Sequence, residues 1–141
     1  MGRVINLSNV GTERKRLTKS VVIALRELMT QQTPDSKTYD LAAYISLALK
    51  SIYETVDQTV TAWEKRGYWL KADRFRLQWE WSGMESEAMK TALVSENWTQ
   101  VAVVSARVAE HLSDVEVSKK HRLGTPWVGA WEHLKEIEMD H

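Results

Sequence analysis

The chain contains no cysteine among its 141 residues. Disulfide frameworks, thiolate metal sites and cysteine nucleophiles are therefore excluded. Only two prolines and six glycines interrupt it, so long stretches are free of residues that break helices. No segment approaches the ~20 apolar residues of a membrane-spanning helix, and the N-terminus lacks an apolar core of signal-peptide length. We therefore expect a cytoplasmic protein that is not inserted into a membrane.

An excess of charge is also missing. Nineteen Lys and Arg residues balance nineteen Asp and Glu residues, so the formal net charge is zero. The overall field of such a chain does not recruit nucleic acids or other polyanions. Any electrostatic function must come from a local cluster. A chain of this length fits one domain, which buries roughly two-thirds of its unfolded surface without covalent staples.

Apolar residues recur at helical rather than strand spacing along the chain. This pattern predicts an all-α protein, an up-and-down helical bundle of four main helices plus a short C-terminal helix. Residues 1–11 carry no periodic pattern, and we predict a flexible N-terminal arm there. Residues 12–141 are predicted to form a single helical-bundle domain. The sequence contains no internal repeat and no low-complexity segment.

Capping residues indicate where the predicted helices begin. Thr12 is the expected N-cap of the first helix, which runs to about residue 32. The second and longest helix begins at Asp35 or Ser36, runs to Arg66 and carries a near-heptad apolar stripe. A third helix starts near Tyr68. Further starts are predicted at a capping box in residues 82–85, at residues 95–97, and at residues 125–126, where a proline would occupy the first helical position.

Residues 63–81 are the most unusual stretch, because they hold four of the seven tryptophans and the only phenylalanine. On a helical wheel the apolar residues of the third helix divide between two stripes. One stripe contains Tyr68, Ala72, Phe75 and Trp79, and the other contains Leu70, Leu77, Trp81, Met84 and Ala88. Two stripes require two packing partners. We predict a central packing element with one face on the bundle and the other on residues 127–131 or a second subunit.

Uncovered tryptophans would expose more apolar surface than soluble monomers usually tolerate. Tryptophan, tyrosine and arginine are also the residues that dominate the binding energy of protein interfaces. The sequence therefore predicts a non-enzymatic assembly or protein-interaction module, either a homo-oligomer or a binder of another protein. The predicted partner-binding residues are Trp69, Arg74, Phe75, Arg76, Trp79, Trp81, Trp127 and Trp131.

Basic residues interleave with the aromatic residues of the same stretch, as they do in single-strand nucleic-acid binders. Two other basic clusters lie at residues 14–19 and 119–122. A small nucleic-acid-binding subunit of a larger complex is therefore an alternative function. It ranks below protein binding, because acidic residues share the stretch and the chain lacks the high pI of most nucleic-acid-binding domains.

Motifs for catalysis are scarce. Glu54, Asp57 and Glu64 have a spacing that metal-dependent hydrolases also use on helices, which makes such a hydrolase a further alternative. The wheel nevertheless places them, together with Asp40, on the solvated face of the second helix. Among the histidines only His111 adjoins an apolar seam, where we expect it to pair with a carboxylate. The isolated glycines form no phosphate loop, so we predict no catalytic residue, no metal site and no cofactor. A small apolar ligand held against the tryptophans is an alternative that the sequence does not rank.

Overall fold

The structure is a computed structural model that describes residues 6–139. Those residues form helices and connecting turns and contain no strand. The all-α helical bundle predicted from the sequence is confirmed. The helices are α1 (Leu7–Met29), α2 (Ser36–Lys65), α3 (Trp69–Trp79), α4 (Trp81–Val94), α5 (Trp98–His111) and α6 (Ala130–Met139). No helix within residues 6–139 is long and apolar enough to cross a membrane.

Helix α2 is the centre of the bundle, because it packs against α1, α3, α4 and α6. Its apolar residues are buried on more than one face, and Leu41, Ile45, Leu49 and Ile52 are all completely inaccessible to solvent. Helix α5 is held chiefly by α4. The prediction that residues 63–81 form the central packing element is wrong. Helix α3 lies at the edge of the bundle, mainly against α2, and buries only one of its residues fully.

The first helix begins earlier than predicted. The side chain of Asn6 accepts hydrogen bonds from the backbone N–H groups of Ser8 (3.1 Å) and Asn9 (3.3 Å), so Asn6 is the N-cap. Thr12 lies inside the helix, where its hydroxyl donates to the carbonyl of Ser8. The predicted arm is therefore wrong for residues 7–11, which are helical. Residues 1–5 of that arm lie outside the described residues, as do residues 140–141.

Two of the predicted capping sites are confirmed. The Asp35 side chain accepts from the backbone N–H of Thr38 at 3.0 Å and starts α2. The Asn97 side chain accepts from the N–H of Gln100 at 3.0 Å and starts α5. Each cap joins residues three apart in the chain. Local sequence is sufficient to specify such contacts.

The boundary between α3 and α4 lies at Glu80 and not at the predicted capping box. Ser82 is the second residue of α4, which has no side-chain cap, and the Ser82 hydroxyl donates to the carbonyl of Trp79 at 2.7 Å. Glu80 itself keeps right-handed helical angles, φ −60 and ψ −25. The helical spacing of side chains therefore continues across the boundary.

The start of α6 depends on a residue far away in the chain. Residues 126–129 form a turn, and Gly129 has φ +83, a left-handed conformation that favours glycine. Helix α6 then begins at Ala130. The carboxylate of Asp40, on α2, accepts from the backbone N–H groups of Gly129 (3.2 Å) and Trp131 (3.0 Å). The predicted start at residues 125–126 is wrong because this cap comes from another helix.

Candidate interaction surface

Aromatic rings form a continuous row from α2 to α5. Trp63 meets Phe75 edge to face with a centroid distance of 5.1 Å, and Phe75 lies 6.5 Å from Trp79. Trp79 stacks on Trp81 at 6.0 Å, and Trp81 stacks on His111 at 4.3 Å with nearly parallel planes. Aromatic pairs of this kind contribute about 0.5–1.5 kcal/mol beyond the area they bury. This aromatic row therefore joins the edge helix α3 to its neighbours.

Two cations cover ring faces of the aromatic row. The Lys71 ammonium lies 4.3 Å from the centroid of Trp63. The Arg14 guanidinium, from α1, lies 4.8 Å from the centroid of Phe75 and donates to the carbonyl and hydroxyl of Thr55. Burial of the Arg14 guanidinium lowers its pKa from the usual value. Both contacts are cation–π interactions, and they leave less ring surface open to a ligand.

The outer face of α3 and α4 is apolar and uncovered. Leu70, Leu77 and Met84 are 64%, 66% and 68% exposed and follow one another at intervals of seven residues. We call these three side chains the α3–α4 ridge. They belong to the second predicted stripe. Trp81 of the same stripe turns toward His111 instead. Neither another helix nor the C-terminal segment within residues 6–139 shields the ridge from solvent.

An open groove of about 770 Å³ lies beside the ridge, where α2 turns into α3. We call it the α2–α3 groove. Its lining side chains include Trp63, Tyr68, Trp69, Leu70 of the ridge, Lys71, Arg74 and Phe75. The groove therefore combines aromatic surface with two positive charges. Gly67, which has φ +80, makes the sharp turn between α2 and α3, after which α3 packs back against the C-terminal half of α2.

The two predicted arginines of α3 differ in their surroundings. Arg76 donates to Glu64 of α2 (3.1 Å) and to Asp73 (2.8 Å). The hydrogen bond to Glu64 is the largest reason that the pKa of Arg76 is raised. Arg76 therefore braces α3 against α2. Arg74 is exposed and makes no ion pair within residues 6–139, so its guanidinium is available to a ligand.

The structure separates the eight predicted partner-binding residues into several groups. Trp69 (65% exposed) and Arg74 lie at the groove. Phe75, Trp79 and Trp81 are half-buried within the aromatic row, and Arg76 is paired.

The two C-terminal tryptophans lie at the opposite end of α2. Trp127 is buried in the core. Trp131 packs beside Tyr39 with a centroid distance of 5.4 Å, and the Lys135 ammonium lies over its ring. Residues 127–139 therefore pack near the start of α2 and not over α3. A binding role for any of the eight residues stays a prediction.

The ridge residues and Lys71 were not among the predicted partner-binding residues. The sequence signal for the ridge was present, since Leu70, Leu77 and Met84 stand on the second apolar stripe. The predicted partner-binding residues were aromatic residues and arginines, because these are frequent in interfaces, and they therefore did not include the aliphatic side chains of the ridge. Nothing in the local sequence marks Lys71, because its position over Trp63 depends on the turn between α2 and α3.

The carboxylates considered for a hydrolase do not form a site. Glu54 and Asp57 are exposed, while Glu64 is engaged by Arg76. Within residues 6–139 no group of three histidine or acidic side chains is placed to hold a metal ion. His111 stacks on Trp81 and makes no ion pair in the same part of the chain, so the expected pairing with a carboxylate is wrong.

Comparison of the chain with protein-family models, with curated proteins and with solved structures finds no match. Its function must therefore be inferred from its own residues and geometry.

Proposed function

We propose that the protein is a non-enzymatic assembly module that associates with a second copy of itself through the α3–α4 ridge. The observation that carries this proposal is the uniform exposure of Leu70, Leu77 and Met84, each about two-thirds open to solvent. A monomer gains nothing from three large aliphatic side chains in water. Burying each of them would stabilise a complex by about 1.5–3 kcal/mol if burial were complete.

The exposed apolar surface around the ridge has the size expected of an interface. Tyr53, Tyr68 and Trp69 add exposures of 39%, 52% and 65% to those of the ridge. Since whole aromatic side chains present about 150–250 Å², the six residues together expose on the order of 600 Å². The largest apolar patch of a typical monomer is about 300–600 Å², so the surface around the ridge lies at the top of that range. A standard interface buries about 800 Å² on each partner, so this surface with its polar rim is sufficient.

A second copy is a suitable occupant because the ridge can pair with itself about a two-fold axis. On the helical wheel Asp73 and Glu80 flank one side of the ridge, whereas Lys71 and Arg74 flank the other. Parallel pairing of two ridges would bring the acidic flank of one copy opposite the basic flank of the other. The charges therefore favour one orientation of the two copies over the reverse.

Light scattering over a range of protein concentrations tests self-association. We expect the mass of a dimer for the unmodified chain and of a monomer for Leu77→Glu, because the substitution buries an unpaired charge in the interface. Met29→Glu is the matched control, since Met29 is 73% exposed on α1. A monomer at every concentration would refute the proposal, and dimers that persist in Leu77→Glu would refute the ridge as the contact.

Nucleic-acid binding is the alternative that has some support, namely the cations at the α2–α3 groove. The aromatic rings argue against it, because the row that would provide stacking platforms is packed against itself and covered by Lys71 and Arg14. A metal-dependent hydrolase has no converging carboxylates within residues 6–139 to support it.

A further inference from the structure

The α2–α3 groove adjoins the ridge, with which it shares Leu70, and has the dimensions of a ligand site. Its volume of about 770 Å³ lies within the range of about 300–1,000 Å³ that is usual for binding clefts. Trp63 and Phe75 are half-buried at the groove, while Tyr68 and Trp69 are more than half exposed. The groove therefore offers both a packed aromatic base and open aromatic edges.

The charges at the groove have one sign. Lys71 and Arg74 line it, and no carboxylate within residues 6–139 lies among its lining side chains. Lys65 and Arg66, also exposed, end α2 next to it. None of these four cations makes an ion pair within the described chain, although other Lys and Arg residues do. A chain with zero net charge thus presents a local positive cluster, and such clusters attract acidic partners.

The aromatic geometry favours a peptide over a nucleic acid. One face of Trp63 is covered by Lys71, and the edge-to-face contact with Phe75 occupies more of that ring. Phe75 is in turn covered by Arg14. Successive bases need open ring faces on which to stack. What remains open is Trp69 together with the aliphatic Leu70, which suit an apolar side chain.

We infer that the α2–α3 groove binds an acidic peptide segment that carries an apolar anchor residue. The anchor packs against Tyr68 and Trp69, where large aromatic surfaces are available at low entropic cost. A carboxylate of the segment accepts two hydrogen bonds from the Arg74 guanidinium, whose planar fork matches it. A second carboxylate lies near Lys71. The groove overlaps the surface that we propose for self-association, because Tyr68, Trp69 and Leu70 belong to both. The peptide and a second copy are therefore expected to compete for this part of the surface.

Fluorescence anisotropy with the full chain tests the inference. The probe is a short fluorescein-labelled peptide of glutamates interrupted by one leucine and one phenylalanine. We expect saturable binding that Arg74→Glu weakens by roughly tenfold, because a reversed charge repels the peptide. Arg74 is exposed and unpaired within residues 6–139, so this variant should fold normally. The matched control is Lys119→Glu, which reverses an exposed charge in the connector after α5.

Further probes decide between partners. A peptide with serines in place of the two apolar residues should bind much more weakly, and a labelled oligothymidylate should not compete. Tighter binding of the oligothymidylate would overturn the inference in favour of nucleic acid. Equal loss in the Arg74→Glu and Lys119→Glu variants, or no peptide binding at all, would overturn it outright. Peptide binding by the Leu77→Glu variant, which is expected to be a monomer, separates this site from self-association, since Leu77 does not line the groove.

Discussion

The carboxylate of Asp40 should control how firmly the C-terminal helix is attached. It accepts from the N–H groups of Gly129 and Trp131 at the start of α6. Asp40→Ala would leave both donors without this partner. Loss of an N-cap costs about 0.5–2 kcal/mol. Because this acceptor is charged, bonds two N–H groups and is only partly exposed, we expect about 2 kcal/mol.

The effect should be visible in thermal unfolding. In a chain of this size 1 kcal/mol shifts the melting temperature by roughly 2–4 °C, so Asp40→Ala should lower it by about 4–8 °C. Hydrogen exchange should also accelerate at the amides of Gly129 and of α6, while the amides of α2 and α4 keep their protection. Both measurements require the same protein concentration for every variant, because self-association would also change the melting temperature.

Two further variants make the experiment decisive. Asp40→Asn keeps one acceptor oxygen but loses the charge, so its loss of stability should be intermediate. Asp57→Ala removes an exposed carboxylate from the same helix and should change the free energy of unfolding by less than about 0.5 kcal/mol. The reasoning would be refuted if Asp40→Ala melted at the same temperature as Asp57→Ala, or if exchange in α6 were unchanged.

Two other polar contacts give predictions of their own. The Arg107 Nε donates to both oxygens of Glu85 (3.1 and 2.9 Å), whose side chain is only 12% exposed. Arg107→Ala should lower the free energy of unfolding in urea by about 1–3 kcal/mol, because it leaves the Glu85 carboxylate unpaired. Adding Glu85→Gln should recover part of that loss, and no recovery would contradict the role of the unpaired charge. The hydrogen bond from the N–H of Thr38 lowers the pKa of Asp35, so its contribution is present above the unfolded pKa of about 3.9 and is lost as the pH falls through the lower folded pKa. In acid melts the stability difference between the unmodified chain and Asp35→Asn should therefore shrink across that window, and a constant difference would contradict the assignment.

The features that the sequence predicted correctly are those that depend on neighbouring residues. Helical periodicity specified the all-α bundle, because the spacing of apolar side chains already determines which face of a helix can be buried. The caps at Asp35 and Asn97 were predicted for the same reason, since each side chain reaches a backbone group three residues away. The two stripes of α3 were also visible on the wheel.

The features that the sequence did not predict depend on contacts between distant residues. Asp40 was placed on a solvated face, yet it caps a helix that begins about ninety residues later. The sequence did not show which tryptophans are buried, because burial depends on tertiary packing: Trp127 is 5% exposed and Trp69 is 65% exposed.

The sequence by itself thus determined that the chain folds as helices and that α3 has two apolar faces. The tertiary structure alone decided which of these faces is covered. Helix α2 packs against Ala72, Phe75 and Trp79 of α3, and α6 packs elsewhere on the same helix. The ridge is left open because the C-terminal segment, which was one of the two partners predicted to cover it, packs against α2 instead.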